Sequence, residues 1–167
     1  MKNAIRPLVN SRIRAMEPTD FAFIRALAAE IPNFTVPSEF LLWFFSRFHP
    51  DYCRVIDQEP GGLKAYLLAM PTSHPPNGLA IWQVAAAESD HAFALEYFAA
   101  YLRDLVERSC LTSLSFSMPN NPVSLRLIRS LANKFGNCEI AKLDTVPVGQ
   151  GEVEFRLSIR LQNRLKD

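Results

Sequence analysis

The clearest pattern in the chain is a strict alternation of apolar with charged or polar positions close to its C-terminal end. It runs from Glu152 to Leu161, with Val, Phe, Leu and Ile on one set of positions and Glu, Arg and Ser on the other. A period of two predicts a strand with one buried and one wet face, which is typical of an antiparallel sheet. Residues 111–118 alternate in a similar way, which predicts a second strand of this kind.

Apolar positions at helical spacing predict four helices. The first two cover about residues 20–30 and 38–48, the third begins at Ser89, and the fourth begins at Pro122 with Asn121 as its N-cap. Short apolar runs predict the remaining strands, which are over residues 12–16, 52–56, 63–70, from Leu79 onward and over 138–140. The predicted order is therefore β-α-α-β-β-β-α-β-α-β-β.

This order of elements predicts a mixed sheet. The strands over residues 52–56 and 63–70 are joined by a short turn, so we expect an antiparallel hairpin. The strand from Leu79, its helix and the strand over 111–118 form a β-α-β unit, which implies a parallel pair with a right-handed crossover. We therefore predict a single domain over residues 1–167, of the α/β class with an α+β mixed sheet that is mostly antiparallel and flanked by four helices.

The chain is organised around the strand that opens at Leu79 and passes directly into the third helix. Residues 79–87 contain no Gly or Pro, and Ser89 and Asp90 suit the cap and the positive first turn of a helix. A strand end that meets a helix N-terminus is a common place for an anionic cofactor, because free backbone N–H groups point at it. This junction is therefore the first candidate for a functional site.

Composition and charge narrow the function only slightly. The chain of 167 residues is 49% hydrophobic and 21% charged, which are ordinary values for a globular protein. Its formal net charge of +1 does not indicate a nucleic-acid partner. The three cysteines are widely spaced, so they indicate neither a metal site nor a disulfide framework, and we expect Cys53 and Cys110 to be buried thiols. No stretch has the apolar length of a signal peptide or a membrane span, which favours a cytoplasmic protein without a membrane partner.

The order of the elements, with two helices after the first strand and three successive strands before the third helix, resembles the GNAT acetyltransferase fold. Residues 12–14 and 17–20 resemble the opening strand and helix cap of that family. Residues 81–86, Ile-Trp-Gln-Val-Ala-Ala, are similar to the central strand of its diaminobutyrate acetyltransferases. The start of the last helix at residues 120–124 resembles the family's Asn-x-x-Ala/Ser motif.

The resemblance implies acetyl-CoA as the co-substrate and the amine of a small molecule as the acceptor. The pantetheine arm would pair with backbone groups at the end of the central strand, and the pyrophosphate would lie at the start of the third helix. The residues that the resemblance places against the cofactor are Val84, Ala85, Ala86, His91, Ala92, Phe93, Ala94, Asn121 and Ser124.

Two segments depart from the family's pattern. The loop that usually reads Arg/Gln-x-x-Gly-x-Gly/Ala contains no glycine here, and His91 stands at its basic position among the acidic Glu88, Asp90 and Glu96. The last helix carries Ile128 where the family usually has a tyrosine that protonates the departing thiolate. Isoleucine cannot donate a proton, so another group would have to do so.

Acetyl transfer to an amine needs a proton acceptor for the amine and a proton donor for the thiolate. Glu88, just past the central strand, is the candidate base, although a carboxylate that only caps the helix fits the same position. Tyr97 on the third helix is the candidate acid, with Tyr101 as its alternative, although a helical tyrosine is commonly a core residue.

Four residues are candidates for contact with the acceptor. Trp82 and Gln83 alternate faces of the central strand, so we expect one of them to face the substrate. Phe40 belongs to an unusually aromatic second helix, which fits a core, an acceptor pocket or a homodimer contact. His74 lies in a proline-rich loop, where a plain surface histidine is the alternative.

Three functions are compatible with these residues. The first is a small-molecule N-acetyltransferase that uses acetyl-CoA, and the second is a catalytically inactive binding or assembly module with the same fold. The third is an acyltransferase whose donor is an acyl-carrier protein, for which a basic docking patch is needed. Arginines on the last two helices could form that patch: Arg103, Arg108, Arg126 and Arg129. We favour the first function, because binding of a cofactor through the backbone can survive changes of side chain.

Overall fold

The computed structural model describes residues 11–58, 62–87, 90–143 and 152–160, and its elements follow the predicted order. The helices are α1 (Phe21–Glu30), α2 (Glu39–Phe48), α3 (His91–Ser109) and α4 (Pro122–Phe135), with a short 3-10 turn at Pro18–Asp20 before α1. The strands are β1 (Ser11–Ala15), β2 (Arg54–Gln58), β3 (Gly62–Thr72), β4 (Gly78–Ala86), β5 (Ser113–Pro119), β6 (Cys138–Leu143) and β7 (Glu152–Ile159).

The seven strands form one sheet in the order β1-β2-β3-β4-β5-β7-β6. Antiparallel ladders join β1 to β2, β2 to β3, β5 to β7 and β7 to β6. The parallel pair is β4 with β5, in a register that sets Gly78 opposite Ser113 and Ile81 opposite Phe116. The predicted mixed sheet, mostly antiparallel with a parallel pair and flanked by helices, is confirmed.

Within the described ranges the chain forms two compact units. One contains residues 11–67 and 84–94, and the other contains residues 68–83 and 95–160. The prediction of a single domain stays a prediction, and each unit is described by itself below.

The first unit buries the inner faces of two helices and the middle of β2 and β3. The side chains that are completely shielded from solvent include Ile24 of α1, Leu42 of α2 and Tyr66 of β3. Ser38 caps α2, because its hydroxyl oxygen accepts a hydrogen bond from the Leu41 N–H at 3.2 Å. Burial raises the pKa of the Tyr66 phenol well above its ordinary value, because the charged phenolate would lose its hydration.

Arg14 of β1 joins three elements of the first unit. Its guanidinium donates two hydrogen bonds to the Asp20 carboxylate, at 2.8 and 2.7 Å, and one to Asp57 of β2 at 2.6 Å. Asp20 also accepts from the Glu17 N–H at 2.8 Å and makes no cap hydrogen bond to α1, so it closes the 3-10 turn rather than the helix. The hydrogen bonds to Asp20 raise the pKa of Arg14 above its ordinary value.

The second unit is built on the alternation that the sequence shows. Val153, Phe155 and Leu157 of β7 are buried, and the residues between them are half-buried on the other face of the strand. α3 and α4 add apolar side chains to this core, among them Phe98 and Ile128. No helix among the described residues is long and apolar enough to cross a membrane.

Two details of the sequence analysis are corrected by the structure. β2 begins at Arg54, two residues later than predicted, and pairs with β1 from there. Cys53 is buried as expected, but Cys110 is exposed. The reason is local: Cys110 has φ 50, a left-handed conformation that ends α3, and the following Leu111 N–H closes on the Val106 carbonyl at 3.1 Å.

Candidate functional site

The end of β4 is the first part of the candidate site. The described ladder with β5 covers Gly78 to Ile81, and β4 continues beyond it to Ala86. Val84 lies in this extension and is 41% exposed, whereas Ala85 and Ala86 are buried. A strand segment that runs past its ladder is suited to pair with the amide groups of an extended ligand.

The loop from β4 to α3 is held by hydrogen bonds within the first unit. The Ala87 N–H donates to the Lys64 carbonyl of β3 at 3.3 Å, and the Asp90 N–H donates to the Ala87 carbonyl at 2.8 Å. His91, the first residue of α3, places its ring Nε2 at 3.0 Å from the Ala86 carbonyl. Because a carbonyl oxygen only accepts, Nε2 carries the proton and donates, which leaves Nδ1 directed elsewhere.

The first turn of α3 presents small side chains and a basic ring. Ala92 is exposed and Ala94 is buried, while Phe93 is half-buried and makes an interaction of its own. The first four N–H groups of a helix have no partner inside the helix, and the dipole there favours an anion. Glu88 and Ser89 lie outside the described residues, so the predictions of a base and an N-cap at these positions stay predictions.

The negative charge near this turn is smaller than the sequence indicates. Glu96, in the second turn of α3, forms an ion pair with Lys134 of α4. Asp90 is the other described acid before the helix, and it is half-buried. Pairing of Glu96 removes one of the charges that would oppose binding of an anion.

The remaining cofactor candidates lie in the second unit. Asn121 is confirmed as the N-cap of α4, since its Oδ1 accepts from the Ser124 N–H at 2.9 Å, and Ser124 is buried. Ile128 is a core residue of the same helix. Tyr97 and Tyr101 on α3 are half-buried and take part in interactions, so the structure leaves the role of Tyr97 as a prediction.

The acceptor candidates lie in both units. In the second unit, Trp82 is half-buried and Gln83 is buried, and the exposed His74 has its Nδ1 at 3.2 Å from the Ser73 hydroxyl. In the first unit, Phe40 of α2 is 71% exposed. The alternation of β4 therefore assigns Trp82, rather than Gln83, to its more open face.

One exposed face of α2, which we call the aromatic face, consists of Phe40, Trp43 and Phe48. The ring centroids of Phe40 and Trp43 are 5.8 Å apart, and those of Trp43 and Phe48 are 5.7 Å apart in an edge-to-face arrangement. Phe45 points the other way and is buried. The aromatic residues of α2 therefore serve the core on one side and leave an apolar surface on the other.

The second unit carries a polar surface that was not predicted from the sequence. Ser117 of β5 donates a hydrogen bond from its hydroxyl to Glu152 of β7 at 2.7 Å, and Ser115 donates to Glu154 at 2.8 Å. Arg156 also donates to Glu154, at 2.8 Å. The signal was present, because the same alternation that predicts the buried face of each strand also predicts these polar partners on the other.

Of the four arginines considered for a carrier-protein patch, Arg108 is paired with Asp104 on its own helix. Arg103, Arg126 and Arg129 are exposed. Among the described residues, no group of three or more His, Cys, Asp or Glu side chains is placed to hold a metal ion.

Comparison with known proteins shows which solved structures share this fold. No family model matches the chain, and no curated protein matches it. Among solved structures, the diaminobutyrate acetyltransferase EctA from Paenibacillus lautus, in complex with L-2,4-diaminobutyric acid and coenzyme A, is similar with a TM-score of 0.71 and 20% identity, over 89% of this chain and 95% of that one. The putative acetyltransferase yncA from Salmonella typhimurium, with acetyl-CoA, gives 0.63 and 19% identity over 92% and 96%.

A third similar structure is the GNAT-like decarboxylase GphF in complex with isobutyryl-CoA, with a TM-score of 0.62 and 14% identity over 89% of this chain and all of that one (100%). The chain therefore has the fold of the GNAT acetyltransferases. Because the three similar structures include a decarboxylase, the fold alone does not fix the reaction.

Proposed function

We propose that this protein is an N-acetyltransferase that transfers the acetyl group of acetyl-CoA to the amine of a small molecule. The observation that carries the proposal is the junction of β4 and α3. There a strand extends past its parallel ladder, exposes Val84, and turns within a few residues into the N-terminus of a long helix. Such a junction offers strand-like pairing and an anion site side by side.

The residues of the junction fit a CoA thioester. Residues 84–86 would pair with the amide groups of the pantetheine arm through their backbone. The pyrophosphate would lie against the first turn of α3, where Ala92 has no long side chain to obstruct it. His91, fixed by its bond to the Ala86 carbonyl, would present Nδ1 as a hydrogen-bonding or cationic group.

Acetyl-CoA supplies an activated acyl group when bound, and the protein has to orient the amine and move protons. Glu88 remains our proposal for the base and Tyr97 for the acid, with Asn121 and Ser124 close to the cofactor. Backbone N–H donors at the end of β4 would stabilise the oxyanion that develops on the thioester carbonyl. Trp82, on the open face of β4, is the candidate for contact with the acceptor, with Gln83, His74 and Phe40 as further candidates.

The similar structures support an amine as the acceptor. EctA is bound to a diamino acid, and a chimeric spermidine N-acetyltransferase from Vibrio cholerae and hSSAT is similar as well, with a TM-score of 0.65. Small cationic amines are therefore the first class of acceptor to be tested.

Thermal unfolding with and without millimolar acetyl-CoA tests the cofactor. A ligand at 100 times its dissociation constant stabilises the fold by about 2.7 kcal/mol, which corresponds to a rise in Tm of roughly 5–11 °C for a domain of this size. Adenosine at the same concentration is the control for binding of the nucleobase alone. A shift with acetyl-CoA, followed by release of CoA thiol in the presence of diaminobutyrate or spermidine, would support the proposal. If the protein binds acetyl-CoA but transfers acetyl to no amine, the catalytically inactive module is favoured. If acetyl-CoA causes no shift in the unfolding temperature, the proposal that it is the co-substrate is refuted.

We also propose that this protein forms a homodimer, in which its partner is a second copy of the chain, and that it does so in the cytoplasm. The aromatic face of α2 exposes three large rings, which is more apolar surface than a small amine could cover. The Trp43→Glu variant should sediment as a monomer where the native chain sediments as a dimer. Phe23→Glu, which changes an exposed aromatic residue of α1, is the matched control. A native chain that sediments as a monomer at micromolar concentration would refute the dimer.

A further inference from the structure

One sheet face of the second unit remains half-open along three neighbouring strands. Gly78 shares this face with Ser113, because a Cβ atom on Gly78 would lie 2.9 Å from the Ser113 hydroxyl oxygen. The parallel register pairs Ala80 with Ser115 two residues later. Continuing the alternation by two more residues puts Trp82 of β4 and Ser117 of β5 on the same face.

β7 completes this face with its acidic residues. The antiparallel register sets Ser117 opposite Glu154 and Pro119 opposite Glu152. Glu152 is therefore level with the C-terminal end of β5, and its carboxylate reaches back to Ser117, whose hydroxyl donates to Oε2 at 2.7 Å. The hydrogen bond fixes the orientation of the carboxylate on the half-open face.

Glu152 and Glu154 have similar surroundings but different partners. Both accept a hydrogen bond from a serine hydroxyl of β5. Glu154 is also paired with the Arg156 guanidinium at 2.8 Å, which neutralises its charge. Among the described residues no lysine or arginine forms an ion pair with Glu152. A fixed carboxylate that forms no ion pair with the described lysines and arginines is suited to receive a cationic or proton-bearing group from a ligand.

Besides the carboxylate of Glu152, the indole ring of Trp82 is a second group that can recognise an amine. An ammonium group over an indole ring is attracted by the negative face of the ring, and the effect is largest for tryptophan. On this face an amine can meet an aromatic ring from β4 and a carboxylate from β7, while Ser117 holds the carboxylate in place. In this arrangement Glu152 takes the place of Glu88 as the base, and the proposed role of Tyr97 toward the thiolate is unchanged.

We propose that Glu152 is the catalytic residue that accepts the proton of the acceptor amine, with Ser117 as its positioning residue and Trp82 as the ring against which the amine lies. The inference rests on the proposed acetyl transfer and deepens it. It assigns the acceptor to the class of primary alkylamines that are cationic near neutral pH.

In the proposed step the acceptor binds as the ammonium ion and first gives one proton to a carboxylate oxygen of Glu152, which passes it to solvent. The neutral amine then attacks the thioester carbonyl carbon, so that a C–N bond forms and the carbonyl electrons move to oxygen. The nitrogen becomes positively charged and acidic, and its proton passes to a carboxylate oxygen of Glu152. When the carbonyl re-forms, the C–S bond breaks and the thiolate leaves with the electron pair. Of the two protons that the nitrogen loses through Glu152, one protonates the thiolate and the other passes to solvent, so that the products are the amide, the CoA thiol and one proton.

The test compares Glu152→Gln with Glu154→Gln in the full chain. Glutamine keeps the size of the side chain and an oxygen that accepts from serine, so both variants should fold. Acetyl-CoA is varied against a panel of diaminobutyrate, spermidine and simple alkylamines, and release of CoA thiol is measured from pH 7 to pH 9.5. Thermal shifts with acetyl-CoA are measured in parallel for all three proteins.

We expect Glu152→Gln to lower kcat by about 100- to 10,000-fold at pH 7, the usual contribution of a general base. The defect should shrink as the pH approaches the pKa of the free amine, about 10 for an alkylamine, because more of the amine is then already neutral. Glu154→Gln should retain native kcat and pH dependence. The thermal shift with acetyl-CoA should be the same in all three proteins.

Two results would overturn the inference. If Glu152→Gln keeps the native kcat and pH profile, Glu152 is not the proton acceptor, although acetyl transfer stands. If both variants lose activity equally with no change in pH dependence, the two carboxylates only support the strands. A native chain that binds acetyl-CoA but acetylates no amine refutes the proposed function itself, and the role of Glu152 with it.

Discussion

The substitution Ala92→Glu tests whether an anion binds at the start of α3. Ala92 is exposed and is the second residue of that helix. A carboxylate in the first turn interacts favourably with the helix dipole by about 0.3–1 kcal/mol, whereas glutamate costs a few tenths of a kcal/mol relative to alanine in intrinsic helix propensity. The folded state should therefore be as stable as the native protein or slightly more stable. Any loss of cofactor binding could then not be ascribed to unfolding.

The same carboxylate should repel the pyrophosphate of acetyl-CoA. At about 6 Å, two unit charges repel each other by about 0.7 kcal/mol in water and about 2.8 kcal/mol at an effective dielectric constant of 20. This corresponds to a dissociation constant about 3- to 100-fold higher. Isothermal titration calorimetry with acetyl-CoA at low and high salt measures it, and about 1 M salt should remove most of the effect, since the Debye length then falls to about 3 Å.

Ala100→Glu is the matched control on the same helix. Ala100 is also exposed and lies eight residues later, about 12 Å further along the helix axis. That distance exceeds the Debye length of about 8 Å at physiological ionic strength, so the new charge should leave binding unchanged. Equal affinities of Ala92→Glu and Ala100→Glu for acetyl-CoA would show that the pyrophosphate does not lie at the N-terminus of α3.

Three further predictions concern stability. Because burial raises the pKa of Tyr66, unfolding releases its proton above pH 10, and stability should fall by up to about 1.4 kcal/mol per pH unit from there. Tyr66→Phe should flatten that alkaline slope in urea titrations, and an unchanged slope would contradict this. Asn121→Ala should cost about 0.5–2 kcal/mol and Asn121→Asp much less, because aspartate also caps; equal losses by chemical denaturation would disprove the cap. Gly78→Ala should cost about 1–3 kcal/mol, since the new Cβ would lie 2.4 Å from the Thr72 Oγ1, and the double variant with Thr72→Ala should recover part of the loss.

The sequence was sufficient for the elements whose pattern is strictly local. The period of two in β7 and the Asn–Pro start of α4 depend only on neighbouring residues, so both were predicted with correct bounds to within two residues. Residues 17–20 were predicted as the cap of the first helix, but the Asp20 carboxylate binds Arg14, for whose guanidinium Asp20 and Asp57 compete through contacts between residues distant in sequence. Local pattern cannot show such a competition.

The candidate site likewise combines local features that could be predicted from the sequence with long-range contacts that could not. The junction at residues 84–94 follows from a change of period within one stretch, and it could be located from the sequence. The pairing of Glu96 with Lys134 joins residues 38 positions apart, and the contact of Ser117 with Glu152 joins residues 35 apart. Those pairs require the packing of the helices and the strand order, in which β7 lies beside β5 although β6 precedes it in the chain.

The two outer strands of the sheet limit how this protein can associate with itself. β1 and β6 are the edges, and they are short, with five and six residues. Arg12 and Arg14 lie on the first edge, and Glu139 and Lys142 on the second. Short, charged edges discourage the addition of further strands from another molecule. Growth into a continuous intermolecular sheet through these edges is therefore disfavoured, which leaves the helical faces and the sheet faces for self-association.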